Sequence, residues 1–140
     1  MKSTIVLAPD IIKARVKALV SMHFFMKEID RRPLTADDDP TLNQAIVFAF
    51  SRALIRIADW VDTFNIQPLN FYDTPDELLQ LEVTLEVDNG ATVNLPLIRR
   101  ALEDYISSSL MNELLADSPQ ASTYRIRCDD ALIEIDTMLT

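Results

Sequence analysis

Gly90 is the single glycine among 140 residues. A phosphate loop of the Gly-x-x-x-x-Gly-Lys type, a dinucleotide fingerprint and a Gly-x-Ser-x-Gly elbow each need at least two. Most nucleotide-dependent enzyme classes therefore lose their usual cradle. Histidine is equally scarce: His23 stands alone, which excludes any metal site built on several imidazoles and leaves one candidate base. It falls on an apolar arc beside Leu19 and Met26, so it reads as a satisfied core or interface histidine. One cysteine, Cys128, cannot form an internal disulfide, and its alternating neighbours make it a small buried strand residue. No apolar run reaches the eighteen or so residues of a membrane helix. Residues 1–9 lack the charged, apolar and cleavage regions of a signal peptide. The expected compartment is the cytoplasm, and no membrane partner is expected.

Acidic residues are plentiful, yet their clusters have the wrong form for a cation. Asp37-Asp38-Asp39, Asp73 with Asp76 and Glu77, and Asp129-Asp130 lack the spaced oxygen ligands and central glycine of a calcium loop. They read as solvated turns and helix caps, and no metal or other cofactor is expected. Ser107-Ser108-Ser109 lies inside a helical pattern, where adjacent hydroxyls point in three directions. It reads as a weakly polar contact surface rather than a nucleophile. No pair of carboxylates is singled out for acid–base work, and the chain is read as a non-enzyme.

What is present is apolar bulk and an uneven charge. Hydrophobic residues make up 49% and charged residues 25%, the balance of a globular chain. Its length fits one α+β domain over residues 1–140, in which 3–8 read either as a short strand or as part of an extended arm over 1–9. The net charge is −9, but residues 1–32 hold seven basic side chains against three acidic ones, a balance of +4. The other 108 residues hold six against nineteen, a balance of −13. Such a division concerns partners rather than fold. The acidic body argues against nucleic-acid binding.

The clearest local pattern runs through residues 79–95. Leu79, Leu81, Val83, Leu85 and Val87 alternate with polar residues, the period of two of a half-buried strand. Val93 and Leu95 continue the period after Asp88-Asn89-Gly90. A three-residue loop pairs Val87 with Ala91, Leu85 with Val93 and Val83 with Leu95, and puts Gly90 at positive φ. Upstream, Pro9 and Asp10 open a helix to about residue 29, whose apolar residues cover more than half its circumference. Asp39 caps and Pro40 starts a second helix to about residue 64. Pro96 opens a third, to about residue 116. Beyond Ser118-Pro119, Tyr124, Ile126 and Cys128, then Ile133 and Ile135, alternate as a second hairpin. The expected fold is α+β: two N-terminal helices, then hairpin, helix and hairpin, with the helices on one face of an antiparallel sheet.

A chain with no chemical motif and excess apolar helix surface is expected to work by contact with other protein chains. The concrete expectation is a small virion component, such as a head–tail connector or tail-completion subunit of a tailed phage or prophage. Its partners would be other subunits in a homo-oligomer or ring, and its location the virion if phage-derived. The alternative is a small acidic adaptor or inhibitor whose body imitates a nucleic acid and blocks a basic protein surface. Phe48 and Ile55 lie seven residues apart on the polar face of the second helix with Arg52 between them: either the 65–72 loop or the first helix of the same domain covers the pair, or these are the candidate interface anchors. Lys13, Lys17, Arg31 and Arg32 are the candidate basic contacts.

Overall fold

The computed structural model describes residues 2–68, 77–87 and 94–140. Its elements run β1 (Lys2–Leu7), α1 (Pro9–Phe25), α2 (Asp39–Arg56), β2 (Val61–Gln67), β3 (Gln80–Glu86), α3 (Leu95–Leu114) and α4 (Ala121–Leu139). The fold is α+β, with a three-stranded antiparallel sheet in the order β1-β3-β2. Of the two readings open for the N-terminal segment, the strand holds: Lys2–Leu7 form an edge of the sheet.

β3 is the strand that the alternation predicts, with Leu81, Val83 and Leu85 buried and Glu82 and Thr84 half-buried. Its pairing is different. Val83 lies opposite Ile5 on one side and Phe64 on the other, and Leu85 opposite Ser3 and Val61. Both edges of β3 are therefore occupied, and Val83 does not pair with Leu95 as the expected hairpin requires. Leu95 is instead the first residue of α3, fixed there by Asn94, whose Oδ1 accepts from the Leu97 amide at 3.2 Å. Gly90 and its turn lie outside the described residues. Alternation names a strand and its buried face, but says nothing of which segment supplies the neighbouring main chain.

The second expected helix is also shorter. α2 stops at Arg56, and after a 3-10 turn over residues 58–60 the chain enters β2. Val61 and Phe64 fit a helical period, yet the run Val61-Asp62-Thr63-Phe64-Asn65-Ile66 is rich in β-branched and aromatic side chains. The open edge of β3 offers its backbone partners from Val61 to Gln67, with one register shift between Val61 and Thr63. The second hairpin is a helix throughout. Tyr124, Ala131, Leu132, Ile135 and Leu139 are buried on one face of α4, while Ile126 and Ile133 are exposed.

α3 is the centre of the helical layer. Every residue from 105 to 111 is buried, the three serines included, because α1, α2 and α4 all pack against it. Three small side chains in succession let the neighbours approach closely where a leucine would hold them off. The core-facing side chains of the sheet, Ile5, Leu7, Leu81, Val83 and Leu85, join the same buried cluster as Phe50 of α2, Ile106 of α3 and Ile135 of α4. On the other face of the sheet Lys2, Thr4, Val6 and Glu86 are exposed.

α1 ends four residues earlier than expected. Lys27 has φ 58°, its amide donates to the Phe24 carbonyl at 3.0 Å, and the Glu28 amide donates to that of His23 at 3.0 Å. These two bonds make a Schellman turn, with lysine where glycine is usual.

Candidate protein-interaction surface

α2 turns Leu42, Ile46, Ala49, Phe50 and Ala53 into the core, which leaves residues 48, 52 and 55 on the opposite side. Phe48 is 61% exposed and Ile55 73%. Between them, the Arg52 guanidinium donates to Ser109 Oγ at 2.7 Å and reaches Glu113 Oε1 at 3.4 Å, both on α3. The cation is thus held in place while the two apolar side chains on either side stand in solvent. Two origins were open for this pair: cover by another part of the same chain, or contact with a partner. Neither α1 nor any other described element covers it. Residues 69–72 of the loop considered as a lid lie outside the described residues.

Most of the basic candidates serve the chain's own fold. Lys13 is only 8% exposed and pairs with Asp10 at 3.4 Å, so it offers a partner little surface. Lys17 Nζ lies 2.6 Å from Asp39 Oδ1 and ties α1 to the start of α2. Arg31 Nε donates to the Leu114 carbonyl at 3.0 Å. That carbonyl is at a helix C-terminus, where a cation is favoured, but of α3 and not of the helix preceding Arg31. Arg32 is exposed. Two further N-terminal cations, which the sequence did not single out, behave in the same way: Lys2 pairs with Asp62 at 3.3 Å and Arg15 with Asp104 at 2.8 Å.

His23 is buried at 6% exposure, and its Nε2 shares a 2.6 Å hydrogen bond with Tyr124 Oη. The rings meet edge to face with centroids 5.7 Å apart. Glu28 Oε1 lies 3.5 Å from Nδ1, brought there by the Schellman turn, and Arg127 stacks over the Tyr124 ring at 5.3 Å. Burial raises the Tyr124 phenol above its usual 10.0, with Arg127 opposing and Glu28 adding. The phenol therefore stays protonated at neutral pH. Sequence reasoning placed His23 correctly and missed its partner, because Tyr124 was read as a strand residue. The buried spacing 124, 131, 135 was the available signal.

Beside this pair, a cleft of about 400 Å³ between α1, α3 and α4 is lined by Arg15, Asp104, Ser107, Arg127 and Glu134, among others. Arg15 pairs with Asp104 there, and Arg127 shares the lining with Asp130 and Glu134, so the cleft presents no field of one sign. Cys128 is half-buried, with Sγ 3.8 Å from the Tyr105 carbonyl. Among the described residues, no group of three or more His, Cys, Asp or Glu side chains is gathered as a metal site. No helix among them is long and apolar enough to cross a membrane. No protein-family model, curated protein or solved structure matches the chain.

Proposed function

We propose that the chain is a non-enzymatic structural subunit that acts by contact with other protein chains. The observation that supports this is the Phe48–Arg52–Ile55 ridge, two exposed apolar side chains flanking a guanidinium already oriented by Ser109 and Glu113. Scattered apolar residues on a surface need no explanation. An aromatic and an aliphatic residue one above the other beside a fixed arginine form the kind of anchor that dominates protein interfaces. Holding Arg52 before association also reduces the side-chain entropy lost on binding. The concrete form of the proposal is a small component of a phage or prophage virion, a head–tail connector or tail-completion subunit. Size, mixed helix and sheet content and the lack of a chemical motif support that form.

The test is the double variant Phe48→Ser/Ile55→Ser. Native mass spectrometry of the wild-type chain at about 100 µM, well above the dissociation constant of a weak subunit contact, is expected to show species larger than a dimer. Those species should vanish in the variant at unchanged melting temperature. A wild-type chain that never exceeds a dimer, or a variant that assembles as before, overturns the ridge as an assembly surface. Portal, capsid or tail genes flanking the coding sequence are expected, and their absence overturns the virion form. The acidic adaptor reading predicts instead a monomer that binds a basic protein with steep salt dependence. It draws less support, because α4 exposes Arg125 and Arg127 alongside Asp129, Asp130 and Glu134 and offers no uniformly acidic face.

A further inference from the structure

α1 carries its apolar residues on two sides. Ile12, Val16, Val20 and His23 face the core. Ile11, Ala14, Ala18, Met22 and Phe25, spaced by three and four residues, are exposed, with Ile11 at 58% and Phe25 at 75%. At 100° per residue these five fall within an arc of about 80°, directly opposite the buried side. No polar side chain interrupts the stripe, and Met26 extends it past the helix end. The polar residues at its borders, Arg15 on one side and Lys17 and Ser21 on the other, are only half-exposed, and Arg15 is paired with Asp104. A surface helix usually carries one apolar stripe, turned to the core; α1 carries a second, and none of the described elements covers it.

We infer that this stripe is an isologous contact between two copies of the chain, with their α1 helices antiparallel about a twofold axis at Ala18. The sequence of the stripe is complementary to itself in that direction alone. Reversed about Ala18, Ile11 of one copy meets Phe25 of the second, and Ala14 meets Met22, so a large side chain faces a hollow at both ends. Alanine at the centre lets the two axes approach to the short end of the usual 8–10 Å separation. Charge selects the same direction. Asp10, whose side chain is 89% exposed, comes beside Lys27 of the second copy, also exposed. A parallel pairing would instead set Asp10 against Asp10, Lys27 against Lys27 and Phe25 against Phe25. Lys17, which borders the stripe, is already neutralised by Asp39, so its approach to the twofold axis brings no bare positive charge. One helix side is smaller than the roughly 800 Å² per partner of a standard stable interface, so the dimer is a weak and reversible one.

The inference extends the reading of the chain as an assembly subunit and uses no residue of the α2 ridge, so the two fail separately. Sedimentation of the Phe48→Ser/Ile55→Ser chain, in which the ridge contact is removed, from about 10 µM to about 1 mM should show a monomer passing to a dimer. Ala18→Asp places two like charges at the axis and should weaken the dimer at least about tenfold, with the circular dichroism spectrum and melting temperature of the wild type because Ala18 is exposed. Phe48→Ser/Ile55→Ser should leave the dimer intact. The direction is read by oxidation in a Cys128→Ala background. Ala18→Cys should give a disulfide dimer; Ile11→Cys alone should not, and should do so when mixed with Phe25→Cys. A Phe48→Ser/Ile55→Ser chain that stays monomeric throughout overturns the inference. So does a dimer that Ala18→Asp does not weaken, or an Ile11→Cys chain that couples to itself as readily as Ala18→Cys.

Discussion

Lys27 and Cys128 illustrate how much a single residue decides here. The Schellman turn after α1 needs a left-handed residue, and Lys27 supplies it at φ 58° although its Cβ makes that conformation cost about 1 kcal/mol. Lys27→Gly should therefore raise stability by about 0.5–1 kcal/mol, partly offset by the larger entropy of glycine in the unfolded chain. Urea unfolding measures it, and a destabilised variant would show that the lysine side chain contributes more than its backbone strain. At Cys128, burial raises the thiol from its ordinary 9.0 to about 11, with Asp129 adding and Arg52 opposing. The folded chain then holds the proton where the unfolded chain has released it, so stability is full below about pH 9 and falls as pH rises towards 11. Tyr124 pushes in the same direction above 10. Cys128→Ala should lose less stability between pH 8 and 10.5 than the wild type, in paired denaturant titrations. An equal loss in both would assign the alkaline effect to other groups.

At the scale of elements, α4 gives the most direct comparison. Read as a hairpin, Ile133 and Ile135 share a buried face; read as a helix, they lie 200° apart. Ile135 is fully buried and Ile133 is exposed. Ile135→Ala should cost about 2–5 kcal/mol, whereas Ile133→Ser should stay within about 0.5 kcal/mol. Thermal melts that gave the two equal costs would contradict the helix. The same element shows how far a sequence can be read. β3 and the starts of α1, α2 and α3 were legible because alternation and proline act locally. The ends of α1 and α2 were not: one stops at a lysine in a conformation that only its neighbours enforce, the other at Ile57 with neither glycine nor proline to mark it. α4 was missed because Arg125, Arg127, Glu134 and Asp136 alternate with apolar residues over stretches too short to separate a period of two from one of 3.6. Of the candidate surface, Phe48, Arg52 and Ile55 were legible because they break the amphipathic pattern of α2. The exposed side of α1 was legible only as surplus apolar residues; which side faced out depended on where α3 lay.

For the whole molecule, the charge division that suggested an electrostatic partner is largely answered within the chain. Lys2, Arg15 and Lys17 of the basic segment meet Asp62, Asp104 and Asp39 of the acidic body. Each such pair is partly exposed and contributes little alone, about 0–1 kcal/mol. Together they fasten β1 to β2, α1 to α3 and α1 to α2. Raising ionic strength from about 0.05 M to 0.5 M, which shortens the screening length well below about 10 Å, should lower the unfolding midpoint of the isolated chain modestly. In Arg15→Gln/Lys17→Gln that sensitivity should shrink. A wild-type midpoint that rises with sodium chloride would show that repulsion among the surplus carboxylates outweighs these pairs.

The order of strands in the sheet has a consequence in time. β2 and β3 are near neighbours along the chain, but Thr4 and Thr84, whose hydroxyls meet at 3.0 Å across β1 and β3, are 80 positions apart. During synthesis β1 must wait, with Ile5 and Leu7 unburied, until the ribosome has released everything through β3. Closing so long a loop also slows a folding reaction. The helices α3 and α4 pack on each other through contacts close in sequence, so that pair is free to form first. Measured by stopped flow, Ile5→Ala should accelerate unfolding and leave the folding rate almost unchanged, while Leu132→Ala should slow folding. If Ile5→Ala slowed folding as much, the edge strand would belong to the nucleus, and a pairing across some 80 positions would be among the first to close.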